Sequence, residues 1–220
     1  MNKVVIFGLK DFAELAHYYL TNDSDYDVVA FTVHQEFLPE EKTFKGVPIV
    51  AFETVEELYP VSAFLFFVPM DPKKMNTLRE AVYLEVKHKG YQFISYISSK
   101  ATVLTDSIGE NCFILEDNTI QPFVTIGNCV VMWSGNHIGH HSVIKDYVNF
   151  TSHVVLSGHC KIERYSFFGV NATIRDSITI AEGTFVGMSA TIIKDTEAWG
   201  VYIGNPAKRL ENKHSKDVEL

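Results

Sequence analysis

The chain has 220 residues, 46% of them apolar, and a formal net charge of −8. That length suits one large or two small domains, and an acidic balance without a basic run argues against a nucleic-acid partner. The most apolar stretch, 61–70, is too short to span a bilayer, and Lys10 and Asp11 cut off the apolar start; no signal peptide or membrane insertion is read, and a cytoplasmic location is expected.

Residues 1–97 alternate strand and helix signals. The pattern predicts a strand over Lys3–Phe7 ending at Gly8, then an amphipathic helix over Asp11–Leu20 with Asp11 as its cap. Strands follow at Val28–Val33 and Gly46–Phe52, the latter containing Pro48, which suits an edge. Phe64–Val68 is continuously apolar, as a buried parallel strand should be. A helix is predicted from Pro72 to Lys89 and a last strand over Phe93–Ile97, with Ser98-Ser99-Lys100 as the junction. The alternation implies a small doubly wound, Rossmann-like α/β domain. Its first turn, Gly8-Leu9-Lys10-Asp11, fits two readings equally: an anion site at a helix start, with Lys10 near a phosphate, or an ordinary βα turn. The second strand ends Phe31-Thr32-Val33 without the acidic residue expected for a ribose, which argues against an NAD role.

From residue 98 the period changes. Every sixth residue from Ile108 to Ile192 is apolar, fifteen in a row: Ile108, Ile114, Ile120, Ile126, Met132, Ile138, Ile144, Phe150, Leu156, Ile162, Phe168, Ile174, Ile180, Val186, Ile192. Chance gives such a run in a fixed phase about once in 10⁵. Neither a helix nor a strand repeats at six; a short strand plus a corner does, which is the hexapeptide pattern of a parallel β-helix. Two residues before the large position the side chain is small or β-branched, as at Val124, Ser142, Cys160 and Ala172. Glycine follows it at Gly109, Gly127, Gly139, Gly169 and Gly187, where a turn is expected. Cys112, Cys129 and Cys160 are odd in number and lack metal spacing, which reads as packing rather than disulfides. No long loop interrupts the coils, so a ligand site must form between subunits.

Together the two halves resemble the bacterial sugar O-/N-acyltransferases of the PglD/NeuD type. The resemblance rests on the repeat, on Trp133-Ser134-Gly135-Asn136-His137-Ile138-Gly139-His140-His141-Ser142, and on Gly204-Asn205-Pro206-Ala207-Lys208. It implies a nucleotide-sugar-binding domain over 1–97 and a left-handed β-helix of about five coils over 98–220. It also implies a homotrimer, and transfer of an acetyl group from acetyl-CoA to the amino group of a nucleotide-linked deoxysugar for surface glycan synthesis. The single glycine of the N-terminal turn departs from the family's glycine-rich motif.

Acyl transfer needs a base for the nucleophile and donors for the oxyanion. Ile138-Gly139-His140-His141-Ser142-Val143-Ile144 matches the family's arrangement around its general base, which points to His140. One coil later stands Gly158, whose backbone N–H takes the family's place for holding the thioester carbonyl. His141, which stacks on His159 by the same eighteen-residue rule, replaces an acidic residue that often orients the base in relatives. His137 is a second candidate for the base, and Asn149, which falls where some relatives place another histidine, is a candidate to bind sugar or orient water. Asn136 faces a crowded corner, and a buried, hydrogen-bonded amide is its plainer reading. Trp133 lines a substrate groove or packs a trimer. Lys194, Lys208 and Gly204 are candidates for CoA contacts, with Gly8, Lys10 and Asp11 for the sugar nucleotide. Arg209 reads as balanced surface charge, and residues from Asn212 onward read as frayed. The competing readings are a sugar O-acetyltransferase, a zinc lyase of the carbonic-anhydrase kind, for which three histidines must converge from two subunits, and a structural trimer. No metal is expected.

Overall fold

A computed structural model describes residues 2–220. They divide into two compact units: one runs to Asp71 and resumes over Ala81–Tyr96, and the other holds Pro72–Glu80 and Ile97–Leu220.

The first unit is a sheet with helices. Its elements are β1 (Asn2–Phe7), α1 (Asp11–Asn22), β2 (Tyr26–Val33), β3 (Thr43–Phe44), β4 (Val47–Ala51), α2 (Val55–Leu58), β5 (Leu65–Phe67), the greater part of α3 (Thr77–His88), whose first turn belongs to the second unit, and β6 (Gln92–Phe93). The strand order is β3-β4-β2-β1-β5-β6, parallel throughout except for β3 against β4. The apolar run of β1 is wholly buried from Val4 to Ile6, as a central parallel strand requires.

Four expectations need correction here. Asp11 does not cap α1: Lys10 occupies the cap position without a side-chain hydrogen bond, and Asp11 sits in the first turn, where its charge suits the helix dipole. Pro48 is not on an edge, because the two-residue strand β3 covers β4 and pairs Thr43 with Pro48. The helix expected from Pro72 begins only at Thr77; Lys74, Met75 and Asn76 all take left-handed backbone. The expected strand at 93–97 is two short ones, Gln92–Phe93 and Tyr96–Ile97.

The second unit is a parallel β-helix. Two-residue strands recur every six residues, and each pairs with the strand eighteen residues on; His137 and Ile138, for example, pair with Val155 and Leu156. Three sheets result, holding six, four and eight strands. In each pair the first residue points out and the second in. The inward ladder from Ile114 to Ile192 is almost solvent-free, and the small residues before it, Val124, Ser142, Cys160 and Ala172, fill the corners between sheets. Ile108 makes only an isolated bridge to Ile126.

The turns are not made where glycine was expected to make them. The left-handed residue lies three positions after the large one, at His141, Tyr147, His153, His159 and Tyr165. Glycine after the large residue instead answers to inter-coil contact: a Cβ at Gly139 would lie 2.5 Å from the Gly158 backbone nitrogen. Inside the prism, Asn118 and Asn136 form a buried amide ladder. The Asn136 side-chain amide donates to the Asn118 carbonyl oxygen at 2.9 Å, and its own carbonyl accepts from the Val154 N–H at 2.8 Å. The three cysteines are buried and free.

The end of the chain is not frayed. Lys208–His214 forms a strand antiparallel to Gly200–Ile203. The buried Ser215 hydroxyl donates to the Gly183 carbonyl at 2.6 Å, and the His214 ring stacks on Trp199. Among the described residues no helix is long and apolar enough to cross a membrane.

Candidate active site

The corner between the six- and four-stranded sheets holds His140 and His141. Ile138 is anchored in the core, so the chain must turn over Gly139-His140-His141 before Val143–Ile144 begins the next face. His140 is therefore exposed, and its backbone N–H donates to the Gln121 side-chain carbonyl at 2.9 Å. One coil on, Gly158 lies under the imidazole. A Cβ there would come 2.8 Å from His140 Cε1 and 2.9 Å from Nε2. Only a glycine leaves the ring where it is. Among the described residues the Gly158 N–H donates to no acceptor.

His141 follows directly. Its Nδ1 lies 3.0 Å from His140 Nδ1, close enough for one imidazole to donate to the other. Its ring stacks on His159, 4.9 Å away and 17° from parallel, and it lies 4.6 Å from the exposed Phe123. The residues 123, 141 and 159 thus form one column along the eighteen-residue register. Left-handed backbone at all three aims the column outward.

The other sequence-predicted residues fall elsewhere. His137 is half-buried on the flat of the six-stranded sheet, between Thr119 and Val155. Asn149 is on the eight-stranded sheet, paired with Val131 and Phe167 and almost fully buried, and neither polar atom of its side chain has a partner. The period that aligned it gives its place along the chain, not its face, so its expected sugar-binding or water-orienting role does not fit its burial within this chain. Asn136 is the buried amide described above, and Trp133 is half-buried. Lys194 and Lys208 are exposed and, among the described residues, have no ion-pair partner, whereas Arg209 is paired with Glu197 at 2.9 Å. Gly204 has a φ of 91° in an exposed turn before Pro206.

In the first unit Gly8 (φ 115°) joins β1 to α1, and its N–H donates to the Thr32 carbonyl. Lys10 and Asp11 are exposed beside it. His34, just past β2, packs its ring edge-to-face against Phe7 and hydrogen-bonds Glu85 at 2.7 Å. A groove of about 600 Å³ opens there, lined by His34, Phe52, Glu53, Leu84, Glu85, His88 and Lys89. It lies at the carboxyl ends of β2 and β4, where open α/β sheets take their ligands. The sequence carries no motif around His34; only its position after a central strand pointed there.

No family model matches the chain. The acyl-[acyl-carrier-protein]–UDP-N-acetylglucosamine O-acyltransferase of Pseudomonas aeruginosa is 30% identical over 108 residues, 46% of this chain and 42% of that protein. That of Pseudomonas syringae pv. tomato matches to the same extent. The chain spans less than half the length of these curated relatives. Among solved structures, a mutant of perosamine N-acetyltransferase from Caulobacter crescentus, in complex with CoA and GDP-perosamine, superposes with a TM-score of 0.82 at 21% identity, over 96% of this chain and 98% of that one. The acetyltransferase domain of PglB from Neisseria gonorrhoeae, in complex with acetyl coenzyme A, gives 0.81 at 20% identity, over 96% and 100%. The chain has the fold of the hexapeptide-repeat sugar acetyltransferases. WeeI from Acinetobacter baumannii adds a TM-score of 0.80 at 22% identity over 96% and 100%. These likenesses run the length of both units.

Three features of the corner escaped the sequence reading. Gln121, nineteen residues before His140, accepts from the His140 backbone N–H. Phe123 extends the imidazole stack by one coil. His140 lies beside the His141–His159 pair, 5.0 Å from the His159 ring centroid, so three imidazoles gather rather than two. The eighteen-residue rule could have found Phe123; Gln121 and the third imidazole required side-chain directions.

Proposed function

We propose that this protein transfers an acetyl group from acetyl-CoA to the amino group of a nucleotide-linked deoxysugar. One observation carries the reading: the His140 imidazole lies over Gly158, whose N–H is free to donate. The two Nδ1 atoms of His140 and His141 are 3.0 Å apart; in the tautomer this reading assigns, His140 donates there, which leaves its Nε2 as the acceptor for the proton that the attacking nitrogen sheds. Gly158 N–H donates to the oxygen that gains charge when the thioester carbonyl is attacked. The C–N bond forms, the C–S bond breaks, and the proton on Nε2 passes to the departing sulfur. His141 keeps the base oriented in place of a carboxylate. Lys194 and Lys208, exposed and unpaired, are the residues offered to the CoA phosphates, with Gly204 in the turn before Lys208.

In this reading residues 1–97 act as a Rossmann-like domain that holds the sugar nucleotide near Gly8, Lys10, Asp11 and the His34 groove. Residues 98–220 form a left-handed helix, and three copies assemble in the cytoplasm with Trp133 at a subunit groove. The named neighbours solved with CoA and with GDP-perosamine support the co-substrate and the substrate class. The test is product analysis by mass spectrometry, with acetyl-CoA and a panel of nucleotide-linked amino sugars. A sugar acetylated by the wild type and not by His140→Ala supports the proposal; no product from any amino sugar counts against it. The curated relatives are named as O-acyltransferases, which favours a hydroxyl acceptor as the second reading. An alkali-labile ester product would select it.

A further inference from the structure

His140, His141 and His159 each present a ring nitrogen, and these three atoms lie within 4.8 Å of one another. All three side chains are exposed, and all belong to one chain. The ring centroids are 5.2, 5.0 and 4.9 Å apart, and the backbones of His141 and His159 are locked in left-handed turns on successive coils. Four-coordinate zinc holds its nitrogens about 2.0–2.1 Å from the ion, hence roughly 3.3 Å from each other. The His140–His141 pair is already near that spacing, at 3.0 Å. A small side-chain rotation brings His159 into range, and water completes the shell. Neutral imidazole suits zinc, copper and nickel; magnesium and calcium want oxygen donors, which this trio lacks.

We propose that His140, His141 and His159 form a single-chain site for one zinc-like transition-metal ion, and that filling it withholds His140 from proton transfer. The binding half stands on the imidazole geometry alone. The inhibitory half rests on the acetyl-transfer reading.

The test uses tag-free full-length protein, titrated calorimetrically with zinc chloride. The expected result is one ion per chain, with affinity falling roughly 10-fold or more in His159→Asn, and no heat of binding with magnesium chloride. Asparagine tolerates left-handed backbone, so the variant should fold; His141→Asn is a second variant of the same kind, and melting curves check both. Equal zinc affinity in wild type and both variants, or no binding at all, overturns the site. Acetylated sugar is then measured with and without zinc. Loss of transfer in the wild type, restored by a chelator and absent in His159→Asn, supports the switch; undiminished transfer by zinc-loaded wild type overturns it. If metal-free wild type transfers nothing, the acetyl-transfer reading falls, while calorimetry still decides the site.

Discussion

His140 and Gly158 act as a pair because the coil brings residue i beside residue i+18, so a substitution at either reports on the other. Replacing His140 with alanine is expected to lower kcat for acetyl transfer by roughly 10²–10⁴ with little change in KM for the thioester. The side chain is exposed, so the melting temperature should hold. Near-normal turnover for His140→Ala together with loss for His137→Ala would move the base to the flat of the sheet. Gly158→Ala is the subtler test. The new methyl would sit 2.8 Å from His140 Cε1 and push the ring away. A displacement of about 1 Å costs on the order of 10²-fold in rate, and steady-state kinetics beside a melting curve would show it as a loss of kcat in a folded protein. This pair was legible in the sequence because the period converts number into neighbourhood. The surroundings of Asn149 were not legible in the same way: the residue lies on another sheet, under cover within this chain.

Elements repeat the lesson at larger spacing. The six-residue pattern gave the coils because each large side chain has one place to go. The start of α3 was hidden because local propensity over Pro72–Asn76 yields to packing in the second unit. There Asn76 and Arg79 are fully buried, Asn76 donates to the Tyr165 carbonyl, and Glu80 accepts from both Arg164 and the Tyr165 hydroxyl at 2.7 Å. Burial, and next the Glu80 carboxylate, push the Tyr165 phenol up to about 12. The folded protein therefore keeps this proton at pH values where the unfolded chain, titrating near 10, has lost it. The resulting stability is complete below pH 10 and disappears as pH rises toward 12. Tyr91 behaves alike in the first unit, where burial and then Glu56 raise it to about 12. Tyr165→Phe should cost about 1 kcal/mol at neutral pH through the lost hydrogen bond and flatten the alkaline fall in melting temperature between pH 10 and 12. An unchanged alkaline slope would show that Glu80 does not hold the phenol.

At the scale of the molecule, a prism with an uninterrupted repeat has little room for an enclosed pocket of its own, and the proposed site sits on an outward corner beside the exposed Phe123. On the proposed reading, walls for a substrate come from another copy, which is the argument for a trimer. Light scattering should return three times 24.9 kDa; a monomer would leave His140 without a second wall and count against the composite site.

The eighteen-residue register also sets how the protein comes apart. Each coil touches only the one before and the one after, so the stack behaves as a line of coupled links rather than as one body. Links in the middle have two neighbours to hold them; links at the ends have one. Amide exchange should therefore be slowest around Ile138–Ile162, where the buried amide ladder and the stacked Phe150 and Phe168 rings add cross-links, and quicken toward Thr102 and Thr191. A uniform exchange rate along all coils would mean that the chain opens in one step. On the graded picture, the histidine corner lies in the last part of the protein to loosen, and its geometry outlasts the fraying of the ends.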